Sequence, residues 1–266
     1  MFPFRNILFP TDSSVNAQAA LQYATAFARH GDGRVVLFSV QDGKTGGNEI
    51  AQAAIDQDID LITVATRDRS RLTRAFGSSL AEDIIAESPC AVLAIRPPQR
   101  DFVNGQSELQ LGRVLLATNF RPSSVAATQL ATQMANQLGA ELHAVYVIGD
   151  YLEQISVMFP EGGLAALTRL RSYVQERMAH LSRGGGATHI AEGRPYQEII
   201  KLADTLQADL IVIGTAVHGS LFGGSHVLGS EIERVIRNAP CPVLCVPAAR
   251  VVTPLPALVT QVVPQT

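Results

Sequence analysis

The chain contains one unit twice, and this constrains its fold more than any other feature. Laid over residues 112–147 without a gap, residues 5–40 bring Ile7, Leu8, Phe9, Pro10, Thr11 and Asp12 onto Val114, Leu115, Leu116, Ala117, Thr118 and Asn119. Ala19, Ala20 and Leu21 fall on Ala126, Ala127 and Thr128. Further on, Asp60-Leu61-Ile62-Thr63-Val64 matches Asp209-Leu210-Ile211-Val212-Ile213, and Pro89-Cys90-Ala91-Val92-Leu93 matches Pro240-Cys241-Pro242-Val243-Leu244. A repeat of this length is a whole domain, so function is best read by comparing the copies.

Each copy alternates short apolar runs with helical stretches. Copy 1 runs Ile7–Phe9, then an alanine-rich helix over 16–29, then a strand over 34–40. Copy 2 repeats this with Val114–Ala117, 124–137 and 141–148. Later come a helix (49–57 or 196–206), a strand, a loop, a helix and a last strand. Strands alternating with helices predict an α/β fold with a parallel sheet and helical crossovers. The runs 61–65 and 210–213 are apolar at consecutive positions, as strands covered on both faces are.

The copies differ in the middle. Eight residues separate Val40 from Glu49, whereas fifty separate the equivalent Val147 and Glu198. The extra stretch holds a helical region over 164–181 and a short apolar segment, Thr188–Ala191, so the first domain is read as truncated by one helix and one strand. The expected division is a truncated domain over 1–98, a linker over 99–111, a complete domain over 112–248 and a tail over 249–266. The bridge begins at Pro97-Pro98, is polar, and reads as an exposed linker. The tail contains three prolines and several valines, and reads either as disordered or as an extended strand against a domain.

Composition excludes several function classes. A net charge of −3 without a basic block gives nucleic acid no electrostatic foothold. No apolar run approaches the length of a membrane span, and the first residues lack the pattern of a signal peptide. Three cysteines form no paired motif, which points to a reducing cytoplasm.

The richest segment runs from Gly214 through Gly219, Ser220, Gly223, Gly224, Gly229 and Ser230 to Glu231, between an apolar strand and a helix. Glycines let backbone approach an anion, and amides at a helix start favour negative charge. Ser220 and Ser230 add hydroxyl donors, so the segment suits a phosphate chain. The alternative is a glycine-rich surface loop with Ser230 as a helix cap.

Thr11-Asp12 after the first strand, the Gly219-x9-Gly229-Ser230 loop and the Pro240-Cys241-Pro242-Val243-Leu244 strand resemble the universal stress protein family, and the tandem arrangement resembles its two-domain members. The resemblance implies two tandem doubly wound, Rossmann-like parallel sheets of the adenine nucleotide alpha hydrolase type. It implies strand order 3-2-1-4-5, with last strands pairing antiparallel into an internal pseudo-dimer. For copy 1, without its edge strand, the expected order is 2-1-4-5. The family pattern Gly-x2-Gly-x9-Gly-(Ser/Thr) implies ATP or another adenine nucleotide, with or without Mg2+. Carried over, it assigns Gly214, Gly219, Ser220, Gly229, Ser230 and the amide of Glu231 to phosphates. Thr118, Asn119 and Val147 fall near the nucleoside. Four residues rather than two separate Gly214 from Gly219, and Asn119 stands where an acidic residue is expected. In copy 1, Ala65, Asp68 and Ser78 replace the three glycines, and Asp68 sets like charge in the phosphate path. Arg67, Arg69, Arg71 and Arg74 could offset it or form a solvated basic loop.

Other candidates are weaker. His218 and His226 flank the loop without a third metal ligand. Asp12, Ser13 and Ser14 read as a helix cap, and Cys90 and Cys241 as packing residues. The leading expectation is a non-enzymatic, nucleotide-responsive stress or regulatory binding module. Copy 2 would hold the nucleotide and copy 1 would support it. A homodimer and a protein partner are further expectations. A slow ATP hydrolase is the enzymatic rival, but no Walker-type lysine or metal-binding carboxylate pair is visible. An interaction protein that binds no nucleotide is the third reading.

Overall fold

The computed structural model describes residues 1–11, 15–40, 45–66, 80–97, 99–149, 160–182, 185–215 and 228–248. Copy 1 contributes β1 (Asn6–Thr11), α1 (Val15–His30), β2 (Arg34–Ser39), α2 (Gly47–Asp56), β3 (Leu61–Ala65), α3 (Leu80–Glu87) and β4 (Ala91–Ile95). Copy 2 contributes β5 (Arg113–Ala117), α4 (Pro122–Leu138), β6 (Glu141–Gly149), α5 (Pro160–Ser182), β7 (Ala187–Gly193), α6 (Pro195–Thr205), β8 (Leu210–Thr215), α7 (Ser230–Asn238) and β9 (Val243–Pro247).

Local chemistry explains the boundaries. Pro122 and Pro195 open α4 and α6, where a missing amide proton costs nothing and φ is already helical. Gly139 closes α4 in the left-handed region at φ 69°, with its amide bonded to Ala135 O. Alanines fill one side of α1 and α4, and let both helices lie close on the sheet. The segment present only in copy 2 forms α5 and β7, as the length difference predicts.

The nine described strands form one sheet of order β2-β1-β3-β4-β9-β8-β5-β6-β7. The copy 2 part is the complete five-strand order, and the copy 1 part lacks its outer strand among the described residues. Every neighbouring pair is parallel except β4 and β9, which join the copies antiparallel. An edge strand could be lost this way because its removal leaves interior backbone pairing intact. Both junction strands are buried throughout.

Each face of the sheet carries a core that runs across the junction. One face packs α1, α4 and α5 over Ile7, Leu93, Leu116 and Leu244. The other packs α2, α3, α6 and α7 over Leu8, Val92, Ile211 and Val243. The helices at the junction are also clamped by charge: Arg237 of α7 donates from Nε and Nη2 to Glu82 Oε1 of α3 at 2.9 and 2.6 Å. Equivalent carboxylates anchor the strand starts. Asp60 Oδ2 accepts from the Arg5 and Asn6 amides, and Asp209 Oδ2 from those of Gly112 and Arg113.

The bridge departs from its expected exposure. Phe102 is 1% exposed, with its ring edge-on to Tyr23 at 4.8 Å and to Phe27 at 6.1 Å. Tyr23 Oη donates to Asp101 Oδ1 at 2.6 Å. Arg100 donates to the Ala203 and Ala208 carbonyls and to Asp204. An antiparallel bridge between Val103 and Leu109 closes the segment on itself. Burying one large ring outweighs the polar bias of its neighbours, because a buried aromatic side chain stabilises by roughly 1.5–3 kcal/mol. The tail over 249–266 lies outside the described residues.

Candidate functional site

In copy 2 the sheet is filled outward from β5. The chain moves from β5 to β6 and β7 on one side, then returns to β8 and β9 on the other. Crevices at such a reversal, beyond the carboxyl ends of the strands, are where open α/β sheets receive ligands. Thr118 and Asn119 follow β5 at this point, Gly214 and Thr215 end β8, and Val147 lies near the end of β6.

Asn119 organises the turn from β5 into α4. Its Oδ1 accepts from Ser124 Oγ at 2.6 Å and from the Arg121 amide at 3.0 Å, while its own amide donates to Ser124 Oγ at 3.1 Å. This is an Asx turn that starts the helix. The carbamoyl oxygen is therefore engaged, while the NH2 of this exposed residue has no partner among the described residues. Thr118 is buried; its amide donates to Val145 O and its Oγ1 accepts from the Phe120 amide. Phe120 itself sits at φ 57°, an uncommon conformation for a bulky residue.

Gly214 has a packing explanation. A Cβ there would stand 2.3 Å from Ser123 O and 2.9 Å from the Ser124 amide nitrogen. The start of α4 thus presses directly on the end of β8, and only glycine fits. Gly229 is different. Its φ of −63° suits any residue, and a Cβ would meet nothing closer than Ile232 Cδ1 at 4.0 Å. No local backbone demand among the described residues accounts for a glycine there.

Gly229 is the N-cap of α7 and offers no side chain to the helix start. Its carbonyl accepts from the Ile232 and Glu233 amides. The amides of Ser230 and Glu231 have no partner among the described residues. Two donors without described partners thus stand at the positive end of a helix dipole. The Glu231 carboxylate turns away from this point. It accepts from the Tyr196 amide at 3.0 Å and from Arg234 at 3.0 Å, tying the start of α7 to that of α6. Sequence reasoning missed Ser124 and Tyr196 as the residues that position Asn119 and Glu231; a polar side chain five positions after Asn119 was the available signal for the first.

Of the expected site residues, the structure brings Thr118, Asn119, Val147, Gly214, Gly229, Ser230 and Glu231 to the carboxyl edge of copy 2. Val147 is half-buried against the core beneath α6, opposite Ala191. Gly219 and Ser220 lie outside the described residues, as do His218 and His226. So do Asp12, Ser13, Ser14, Arg67, Asp68, Arg69, Arg71, Arg74 and Ser78 in copy 1.

Several other reactive groups among the described residues serve the structure. Burial pushes the thiols of Cys241 and Cys245 up to about 12, which keeps them protonated and unreactive. Glu192 is held by Arg171 through two hydrogen bonds, and Glu198 lies 3.5 Å from Lys201. Among the described residues no group of three or more His, Cys, Asp or Glu side chains is placed to hold a metal ion. No described helix is long and apolar enough to cross a membrane.

Known proteins share this sequence pattern and fold. The family model described as the universal stress protein family matches residues 40–96 and 111–247, more than half of the chain. A universal stress protein of Methanocaldococcus jannaschii is 33% identical over 145 residues, covering 50% of this chain and 81% of the relative. One from Thermus aquaticus is 35% identical over 136 residues, covering 50% of this chain and 96% of the relative. The crystal structure of a universal stress protein from Archaeoglobus fulgidus superposes with a TM-score of 0.65 at 21% identity. It covers 92% of this chain and 97% of that one, and so shows a shared fold over both copies.

Proposed function

Because the chain belongs to the universal stress protein family, we propose that it is a nucleotide-responsive binding and regulatory module. Residues 112–248 hold an adenine nucleotide, ATP or a close relative, and residues 1–98 support them. The start of α7 carries this reading. Two amides without partners among the described residues, on Ser230 and Glu231, follow a glycine that the described local backbone does not require. A phosphate oxygen satisfies such amides and gains from the helix dipole. Nearby, the Asn119 NH2 is free to donate to a ribose hydroxyl or a base, and Val147 supplies an apolar wall. Gly219 and Ser220 complete the phosphate cradle in this reading.

No catalytic residue is assigned, and the described carboxylates near the site are held by structural partners. In this reading the chain binds and signals rather than turns over. A second reading, an interaction protein without nucleotide, is favoured by Gly214, whose missing side chain serves helix packing. Mass spectrometry of small molecules released by denaturing the purified protein separates the two. An adenine nucleotide is the expected product. Its absence, together with no heat on titration with ATP, overturns the proposal. Phosphate release in the presence of Mg2+ well above background would instead make the chain an enzyme.

A further inference from the structure

Copy 2 carries a histidine pair where copy 1 has none. His143 of β6 and His189 of β7 share one face of the sheet, because Val145, two residues after His143, lies opposite His189 in the register. Their rings are 24° from parallel, with centroids 5.4 Å apart. His143 Nδ1 stands 3.1 Å from His189 Nε2. The other nitrogen of His143, Nε2, faces Glu141 Oε2 at 3.7 Å, and Arg113 Nε donates to that same oxygen at 3.1 Å. Arg113 also donates to Leu206 O, which brings the C-terminal end of α6 to this corner. Both histidines are half-buried.

Packing does not ask for these side chains. The repeat relation puts Val36 in the place of His143, Arg34 in that of Glu141 and Asn6 in that of Arg113. Val36 packs against the core with no polar group in its side chain. In copy 2, one proton lies between the two imidazoles, so one nitrogen of the close pair donates and the other offers a bare lone pair. Bare imidazole nitrogens are favoured ligands of late first-row divalent cations.

The spacing fits such an ion. A tetrahedral Zn2+ with nitrogen ligands at ~2.0–2.1 Å holds them about 3.3 Å apart. That is close to the 3.1 Å between His143 Nδ1 and His189 Nε2. Rotation about the side-chain bonds turns both lone pairs toward one point, and the shared proton leaves to solvent. Metal-bound histidines commonly present their second nitrogen to a carboxylate that fixes the ring. Glu141 stands where it does this for His143. The negative end of the α6 dipole adds to the attraction.

We propose that His143 Nδ1 and His189 Nε2 together bind a late first-row divalent cation such as Zn2+. The site lies at the amino edge of copy 2, across the sheet from the crevice at its carboxyl edge. Water completes the coordination, since among the described residues no third His, Cys, Asp or Glu is placed to join the pair. The ion is therefore exchangeable, and it ties β7 to β6 through side chains as well as backbone.

Zn2+ titrated into the full-length, nucleotide-free chain at neutral pH tests this, followed by calorimetry and by the histidine ring signals in NMR. One Zn2+ per chain is expected at this site, with the ring nitrogens of His143 and His189 shifting together. His189→Gln is expected to weaken binding by at least about tenfold. The double variant His218→Gln, His226→Gln, which removes the loop histidines, is expected to leave it unchanged. Zn2+ should also raise the unfolding midpoint of the unsubstituted chain but not that of His189→Gln. Mg2+, which takes oxygen ligands, should move neither ring. Absence of Zn2+ binding overturns the proposal and leaves the pair a hydrogen bond of the sheet. So do binding that survives His189→Gln, binding lost with the loop histidines, and ring shifts that Mg2+ reproduces.

Discussion

Leu93 and Leu244 are each other's equivalents in the two repeats, and they lie directly opposite one another in the antiparallel junction. On either side, Val92 faces Cys245 and Ala94 faces Val243, pairs that the same repeat relation exchanges. The pseudo-twofold axis therefore passes through the leucine pair, where the contact is isologous as in a symmetric dimer. Both side chains are fully buried. Either Leu→Ala change is expected to destabilise the fold by about 2–5 kcal/mol. The double variant should depart from the sum of the two, because the residues share one contact. Denaturant unfolding of the three variants measures it, and strict additivity would place the leucines in separate environments.

The bridge yields a second test. Phe102 fills a site made by Tyr23 and Phe27, and Tyr23 is tied to Asp101. Burial and the Asp101 carboxylate together hold the Tyr23 phenol far above its ordinary value, so it stays a donor throughout the accessible pH range. Phe102→Ala should cost about 3–5 kcal/mol, and Tyr23→Phe about 1 kcal/mol. If Phe102→Ala changed stability by no more than a surface substitution, the bridge would be a free linker after all.

How legible this was depended on whether local pattern or distant packing decided each feature. Consecutive apolar runs such as Leu61–Val64 and Leu210–Ile213 marked strands covered on both faces of a parallel sheet, while the strand order came from the resemblance to the universal stress protein family. The β4–β9 junction followed from two matched strands that each needed an edge partner. Phe102 escaped because its burial rests on Tyr23 and Phe27, far back in the sequence, while its own neighbours are polar. Gly214 was ambiguous in principle: a phosphate and the backbone of Ser123 both demand a missing Cβ, and only coordinates separate them. The role of Asn119 as a turn former was likewise hidden behind the acidic residue expected in its place.

Acid should loosen the outer part of copy 2 first. His143 Nδ1 and His189 Nε2 approach to 3.1 Å across β6 and β7, so one ring must give up its proton to serve as acceptor. Burial, then the charge of His143, lowers the value of His189. The Arg113 hydrogen bond and charge lower that of Glu141 beside them. Both groups have folded values below their unfolded ones. Their contributions are thus present above the unfolded value and lost as pH falls through the folded one. Exchange of β7 amides should rise on acidification below the ordinary histidine range, before that of β3. His189→Gln should flatten the dependence; an unaltered profile would show that the pair does not govern it.

The assignment of ligand to copy is tested by two matched substitutions. Gly229 and Ser78 occupy equivalent places in the sequences of the two repeats. In copy 2 a Cβ at this position meets no described atom closer than 4.0 Å, beside the Ser230 and Glu231 amides that have no partner among the described residues. A glutamate there competes with a phosphate for those donors and repels it. The backbone at φ −63° accepts the change without strain, so loss of binding would not reflect misfolding. Gly229→Glu should therefore weaken ATP binding by at least about tenfold, roughly 1.4 kcal/mol, with thermal stability kept. Ser78→Glu should leave affinity within about twofold, a difference of only about 0.4 kcal/mol, because copy 1 lacks the glycines to which the proposed function assigns the phosphates. Isothermal calorimetry on both variants decides it: loss of binding with Ser78→Glu and retention with Gly229→Glu would move the nucleotide to copy 1.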